Sequence, residues 1–243
     1  MAAERLGRWL ARSGAVSRRE AERLIASGRV QVGGARPPKG GRLFDPELEE
    51  VRLDGRVVRP QVAAGHRYLA LNKPPGVVST VRDPGGRPTV LDLVPDSNRL
   101  YPVGRLDLDS RGLVLLTDDG DLALRLTHPR YGVPKSYRLT LRGRLQPGQM
   151  EALRQGPLLV DGATTPLEVR VLRAGARRTV LLVLLAQGRR RQIRRMCQAV
   201  GAHVDDLERV AIGSLRLGSL GVGLTRELSP RQVLRLRHEA GLA

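Results

Sequence analysis

The chain has 243 residues, with 42 basic against 24 acidic residues and a formal net charge of +18. Its single cysteine excludes a disulfide scaffold within the chain. Apolar runs such as residues 113–116 can bury a core, which argues against a disordered chain. No segment is long and apolar enough to span a bilayer and no signal peptide is visible, so we predict a cytoplasmic protein.

The excess of base over acid predicts a polyanionic partner, because so large a net charge costs stability by self-repulsion. An anionic membrane surface would require an amphipathic anchor with aromatic residues, and the sequence contains none. Nucleic acid is therefore the expected partner, and no membrane contact is expected.

The first segment predicts two short helices followed by a strand. Leu6, Trp9 and Leu10 recur at helical spacing. Ser17, with Glu20 three residues later, predicts a capping box at the start of the second helix. Residues 30–32 alternate as a strand does.

Basic residues are concentrated in this segment, where residues 1–42 carry ten bases and three acids. Clustered arginines favour a phosphate-contacting surface, although a solvated helix face is the ordinary alternative. The predicted RNA-contacting residues of this segment are Arg5, Arg18, Arg19 and Arg29.

A stretch rich in Pro, Gly and charge predicts a linker near residue 60, which divides the chain into residues 1–61 and 62–243. The second part mixes strands and helices in irregular order, which predicts an α+β fold. The predicted strands of this part are 68–71, 113–116, 137–141, 167–172 and 180–185, and the predicted helices are 148–155 and 192–200.

The common catalytic signatures are absent from the sequence. There is no phosphate-binding P-loop and no glycine-rich dinucleotide fingerprint. The four histidines and Cys197 lack metal-ligand spacing, so Cys197 is interpreted as a small buried residue.

An acidic segment at residues 101–121 stands out in the basic chain. A calcium loop is one interpretation, but Arg111 occupies a ligand position and Asp118 replaces the expected Glu. A second is catalytic, with a turn presenting Asp107 as nucleophile or base beside a cation. The third is that Asp107 and Asp109 are ordinary turn or cap residues.

Four motifs resemble those of pseudouridine synthases, most closely the branch that includes RsuA and the large-subunit enzyme RluB. They are, in chain order, Leu71-Asn72-Lys73-Pro74-Pro75-Gly76, Gly104-Arg105-Leu106-Asp107, Lys135-Ser136-Tyr137 and Gly188-Arg189-Arg190-Arg191-Gln192-Ile193-Arg194-Arg195. The N-terminal residues resemble the RNA-binding alpha-L module named after ribosomal protein S-four. The combined resemblance implies that module followed by a catalytic domain built on a mixed, mainly antiparallel sheet with flanking helices.

The resemblance also implies roles for individual residues. Asp107 matches the essential carboxylate, Arg194 its basic partner and Tyr137 the tyrosine that stacks on the target base. Arg105 matches a residue that fills the helix when the nucleotide is flipped out. The remaining expected RNA-contacting residues are Lys73, Lys135, Arg189, Arg191 and Arg195, whereas Asp109 and Asp118 are expected to be structural.

The resulting prediction is a monomeric enzyme that isomerises a uridine in a ribosomal RNA stem-loop, free or in an assembling subunit. It implies no cofactor and no metal, because the carboxylate performs the chemistry. The large subunit is the expected target. A small-subunit enzyme of the RsuA type and a non-catalytic RNA-binding assembly protein are the alternatives.

Overall fold

The computed structural model describes residues 3–14, 16–39, 41–59, 65–97 and 99–242. The chain divides into two units, residues 1–65 and 66–243. The predicted boundary between residues 61 and 62 lies outside the described residues.

The N-terminal unit contains two helices and two small antiparallel sheets. Its elements are β1 (Glu4–Arg5), α1 (Leu6–Arg12), α2 (Arg18–Ala26), β2 (Val30–Val32), β3 (Leu43–Phe44), β4 (Val51–Leu53) and β5 (Arg56–Val57). Strands β2, β4 and β5 form one sheet, and β1 pairs with β3.

The core of this unit forms where the helical apolar positions meet the strands. Leu6, Leu10 and Trp9 are buried, and the Trp9 ring meets Phe44 edge to face at 5.4 Å. Half of the predicted capping box is present, since the Ser17 hydroxyl accepts from the Glu20 backbone N–H at 3.2 Å. The Glu20 carboxylate instead forms an ion pair with Arg23.

The second unit contains the remaining elements. Its strands are β6 (Tyr68–Lys73), β7 (Tyr101–Val103), β8 (Arg111–Thr117), β9 (Lys135–Arg142), β10 (Leu158–Leu159), β11 (Gly162–Ala163), β12 (Glu168–Ala174), β13 (Arg178–Leu185), β14 (Val204–Ile212), β15 (Leu215–Arg216) and β16 (Thr225–Glu227). Its helices are α3 (Gly120–Thr127), α4 (Pro147–Gln155), α5 (Gln192–Ala199) and α6 (Pro230–Glu239), with a 3-10 turn at Pro129–Tyr131.

Nine of these strands form one mixed sheet with the order β12-β13-β9-β14-β8-β6-β16, to which β15 and β7 add at β14 and β8. Strands β14 and β8 run parallel, while their other neighbours pair antiparallel. The predicted α+β class with a mixed, mainly antiparallel sheet is therefore confirmed.

Residues 113–116 of strand β8 are all apolar because helices cover both faces of the sheet. Val114 and Leu116 join one buried cluster, with side chains from α4 and α5. Leu113 and Leu115 join a second cluster, with side chains from α3 and α6. The alternation follows from the two-residue period of a strand.

The five predicted strands and two predicted helices of this unit are present with shifted ends. The prediction missed α3, α6 and the nine-residue central strand β14, whose sequence mixes acids with apolar residues. No helix in the described ranges is long and apolar enough to cross a membrane.

Candidate active site

The turn that presents Asp107 joins β7 to β8 and is held by the segment that follows β6. Gly104 starts the turn with φ +73°, a left-handed conformation that glycine adopts without strain. The Ser79 hydroxyl bonds both the backbone N–H and the carbonyl of Leu106, at 3.1 and 3.2 Å. The Gly76 N–H donates to the Leu108 carbonyl at 2.8 Å. The backbone on both sides of Asp107 is therefore fixed.

Lys73 secures the end of the same turn from inside the protein. Its side chain is fully buried, and Nζ donates to the Pro74 and Ser110 carbonyls at 2.8 Å each. Burial lowers the Lys73 pKa to about 8, although the negative charges of Asp109 and Asp107 act to raise it. The predicted RNA contact by Lys73 is wrong, because this ammonium is used within the fold.

The Asp107 carboxylate is half-buried at the tip of the turn. Within the described parts of the chain, it forms no hydrogen bond and no ion pair. Its charge nevertheless acts to raise the pKa of both Lys73 and Arg191. The predicted ion pair between Asp107 and Arg194 is absent from the structure.

Arg194 pairs with Asp109 instead. The Arg194 Nε lies 3.4 Å from Asp109 Oδ2, and Nη2 donates to the Asp109 carbonyl at 3.1 Å. Arg191, which precedes α5 with φ +50°, donates to both Asp109 carboxylate oxygens at 3.2 and 3.0 Å. Asp109 was expected to be a structural turn residue, and in the structure its carboxylate forms ion pairs with both Arg191 and Arg194.

Tyr137 reaches the same neighbourhood through the core. It lies on β9 between Val183 of β13 and Arg209 of β14, and it is buried. Its apolar cluster also contains Leu106, which precedes Asp107, and Ile193, which precedes Arg194. One packed cluster therefore brings together the three segments that carry the predicted catalytic residues. The stacking role of Tyr137 stays a prediction.

Two of the predicted phosphate contacts are used within the protein. Arg195 forms two 2.8 Å hydrogen bonds to Asp161, in the turn between β10 and β11. Arg189 donates to the carbonyls of Asp161, Gly162 and Ala163. Both arginines therefore tie this hairpin to the start of α5, and their contact with RNA stays a prediction.

Lys135 is another predicted RNA-contacting residue whose side chain is bonded within the protein. It is half-buried, and its Nζ donates to the Val133 carbonyl at 2.7 Å. Burial lowers the Lys135 pKa to about 8, and the charge of Arg209 acts in the same direction. Its position favours a role in the fold over the predicted phosphate contact.

Other predicted RNA-contacting residues are exposed. Arg105 is exposed in the turn next to Leu106, and Arg191 keeps 43% of its side chain exposed. In the N-terminal unit, Arg5, Arg18 and Arg19 are exposed, as the helical pattern predicted. Arg29 is also exposed, but it is bonded to both carboxylate oxygens of Asp54.

An ion-pair network that the sequence did not predict lies directly after the turn, around the buried Glu208. Arg111 forms a two-bonded ion pair with Asp206 at 2.9 and 2.8 Å, and it also bonds Glu208. Arg138 bonds the other oxygen of this buried Glu208. The network fixes the parallel pairing of β8 with β14. The sequence signal that could have indicated this network is the presence of acidic residues within the apolar alternation of residues 204–212.

The strand that follows the turn argues against the calcium-loop interpretation of the acidic segment. Residues 111–117 form an extended strand that separates Asp118 from Asp107, so these residues cannot wrap one calcium ion. In the described ranges, no group of three or more His, Cys, Asp or Glu residues could hold a metal ion. Cys197 is buried, as predicted, and burial raises the pKa of its thiol to about 12.

Comparisons with known proteins agree with this arrangement. Residues 67–199 match the family model for RNA pseudouridylate synthase, and residues 4–36 match the model for the S4 domain. A solved structure described as a pseudouridylate synthase superposes with a TM-score of 0.69 and 29% identity, covering 96% of this chain and 99% of the other.

Curated relatives match over nearly the whole length. An uncharacterized RNA pseudouridine synthase of Aquifex aeolicus is 38% identical over 240 residues, covering 98% of this chain and 95% of the relative. The ribosomal large subunit pseudouridine synthase B of Bacillus subtilis is 36% identical over 237 residues, covering 96% of each chain.

Proposed function

Because this chain belongs to the RNA pseudouridine synthase family and is an RNA-modifying isomerase, we propose that it converts a specific uridine of large-subunit ribosomal RNA to pseudouridine, with Asp107 as the nucleophile. The observation that carries the proposal is the fixed turn at residues 106–110. It offers a half-buried carboxylate without an ion-pair partner in the described residues, on a turn whose next residues, Asp109 and Ser110, are bonded by Arg191 and Lys73.

The proposed reaction rearranges bonds without any net change in composition. The Asp107 carboxylate attacks the uracil ring or the ribose, and the N1–C1′ bond breaks. The detached base turns, its C5 bonds to C1′, and the bond between Asp107 and the uracil or ribose breaks, which restores the free carboxylate. The C5 proton is then lost and N1 gains a proton, so no oxidant and no external energy source is needed.

The other residues of the site have supporting roles in this proposal. Tyr137 stacks on the uracil and assists loss of the C5 proton. Exposed Arg105 occupies the space that the flipped nucleotide leaves, because chemistry on a paired base requires its extrusion. Exposed arginines of the N-terminal unit bind phosphates and recognise the shape of a stem-loop.

The choice of the large subunit rests on the relatives. The Bacillus subtilis protein is named for that subunit and matches over 96% of both chains. A ribosomal RNA substrate also leads us to propose that the protein acts in the cytoplasm, and we propose that it acts as a monomer.

Asp107→Asn tests the chemistry, because it keeps the size of the side chain and removes its nucleophilic charge. We expect pseudouridine formation on ribosomal RNA to fall by at least about 1,000-fold. RNA affinity should be retained, since the turn backbone is held by Ser79 and Gly76. Conversion at the wild-type rate would show that Asp107 is not the nucleophile.

Mapping of pseudouridines in cells with and without the gene, by chemical adducts and reverse-transcriptase stops, tests the target. We expect one site in large-subunit RNA to disappear. Loss of a small-subunit site would identify an enzyme of the RsuA type. Loss of no site would contradict the proposed ribosomal substrate.

A further inference from the structure

Asp109 lies two residues after Asp107 and is contacted by two arginines from the start of α5. Arg191 bonds both of its carboxylate oxygens, and Arg194 approaches the same carboxylate at 3.4 Å and bonds the Asp109 carbonyl. One acid therefore joins two segments that are more than eighty residues apart in sequence.

The two arginines differ in exposure. Arg194 has only 14% of its side chain exposed, and it also donates to the Val204 carbonyl of β14 at 3.3 Å. Its Nε is buried and forms no hydrogen bond of good geometry, although it lies within ion-pair distance of Asp109. Arg194 is therefore held by Asp109 on one side and by the Val204 carbonyl on the other, and its Nε–H remains an unused hydrogen-bond donor. Arg191 remains 43% exposed.

An acid at this position needs a physical reason, because a carboxylate beside an RNA site repels phosphates. Exposed ion pairs contribute little to stability, so folding alone is a weak reason. Partial burial acts to raise the pKa of Asp109, but the hydrogen bond from Arg191 and the charge of Arg194 outweigh it and lower that pKa. The charged carboxylate is thus maintained by the two arginines that it orients.

We infer that Asp109 is a positioning residue for the isomerisation: its carboxylate holds Arg194 and Arg191 against the turn that presents Asp107. This inference rests on the proposed function. Asp109 acts through Arg194, which it keeps at the catalytic turn, and through Arg191, whose exposed guanidinium it fixes where the RNA enters. Asp109 itself takes no part in bond making or breaking.

Asp109→Asn tests the inference, because it removes the charge and keeps the shape. We expect kcat on ribosomal RNA to fall about 10- to 100-fold, as is usual when a group that orients a functional side chain is lost. RNA affinity should stay within about threefold of wild type or become tighter, because one repulsive charge is gone. An unchanged kcat, or a loss confined to RNA binding, would overturn the inference.

Glu151→Gln is the control for the loss of one acid from an arginine pair. Glu151 pairs at 3.9 Å with Arg154 on the exposed side of α4, and the pair makes no contact with the turn. This variant should keep the wild-type kcat and melting temperature. Equal kcat losses in both variants would show a general charge effect and would also overturn the inference.

A triple variant distinguishes positioning from an independent role. If Asp109 acts through Arg191 and Arg194, adding Asp109→Asn to the double variant Arg191→Gln/Arg194→Gln should lower kcat no further than that double variant alone. A further loss would show that Asp109 acts separately from the two arginines.

Hydrogen exchange provides a readout that is independent of activity. We expect Asp109→Asn to speed exchange in peptides that cover residues 106–110 and 189–195, while Glu151→Gln leaves both unchanged. Unaltered exchange in both segments would contradict the holding role. This test needs no RNA, so its outcome does not depend on which RNA is the substrate. A wild-type protein inactive on ribosomal RNA would refute the proposed function alone, because the exchange result stands by itself.

Discussion

Gly112 lies so close to the Arg209 backbone that a Cβ on Gly112 would be 2.4 Å from the Arg209 carbonyl oxygen and 2.7 Å from its nitrogen. The contact occurs where β8 and β14 pair in parallel, one residue after Arg111. Gly112 also has φ +105°, which disfavours any other residue. The central strand pair therefore depends on a glycine two residues after the turn that presents Asp107.

Gly112→Ala should consequently destabilise the protein strongly. Backbone atoms on a central strand cannot move aside cheaply, and the left-handed conformation adds strain. We expect a loss of at least about 2 kcal/mol in the free energy of unfolding, measured by denaturant titration. Gly148→Ala is the control, because its site on α4 is open and its φ is not positive. That variant should be neutral or slightly stabilising, and equal losses in both would refute the steric argument.

Asp119 connects three elements, and its removal should weaken all three contacts. It caps α3 through the N–H groups of Asp121 and Leu122, and it bonds the Tyr68 hydroxyl and Arg237. We expect Asp119→Ala to cost about 2–4 kcal/mol, which combines a lost cap with lost charged hydrogen bonds. Asp119→Asn preserves the capping oxygen and should cost less. The ranking can be checked by thermal unfolding, and equal costs would show that the cap contributes nothing.

The same carboxylate should contribute to acid sensitivity. Burial acts to raise the Asp119 pKa, but hydrogen bonds from Leu122 and Tyr68 and the nearby positive charges outweigh it and lower that pKa below 3.8. The stabilisation is therefore fully present above pH 3.8 and is lost as the pH falls through the lower folded-state value. Unfolding free energies measured from pH 5 downward should fall less steeply in Asp119→Asn than in wild type. Parallel curves would exclude this contribution.

Lys73 should add a second pH effect, in the alkaline range. Because burial lowers its folded-state pKa to about 8, the unfolded chain binds more protons than the folded chain between pH 8 and 10.5. The stability of wild type relative to Lys73→Met should therefore rise with pH in this window, by no more than about 1.4 kcal/mol per pH unit. Lys39→Met, which removes an exposed lysine, controls for the general loss of one charge. A difference that stays constant with pH would contradict the depressed pKa.

An arginine of the N-terminal unit should contribute more to RNA binding when its guanidinium is not bonded to an acid of the protein. Arg18 and Arg19 are exposed, whereas Arg29 is bonded to Asp54. The double variant Arg18→Gln/Arg19→Gln should weaken RNA binding and reduce the slope of log affinity against log salt by about 1–2. Arg29→Gln should have a smaller effect on both. Filter binding at several salt concentrations gives these slopes, and an unchanged slope in the double variant would refute phosphate contacts by α2.

The sequence by itself determined the features that depend on neighbours along the chain. The apolar spacing of Leu6, Trp9 and Leu10, the Ser17 cap and the buried run of β8 were all predictable, because helix and strand periods and caps are local. The four family motifs were also visible locally, and with them the family of the chain. The number and sign of the charges already indicated a nucleic-acid partner.

Only the tertiary structure decided which charged groups meet. It pairs Arg194 with Asp109, buries Lys73 beneath the turn and ties Arg195 to Asp161. These partners lie tens of residues apart, so their contacts follow from the strand order around β14, which local patterns do not encode. In a chain with 39 arginines, composition indicates that many cations are available. The packing of the sheet and α5 decides which guanidinium groups bond within the fold and which remain exposed.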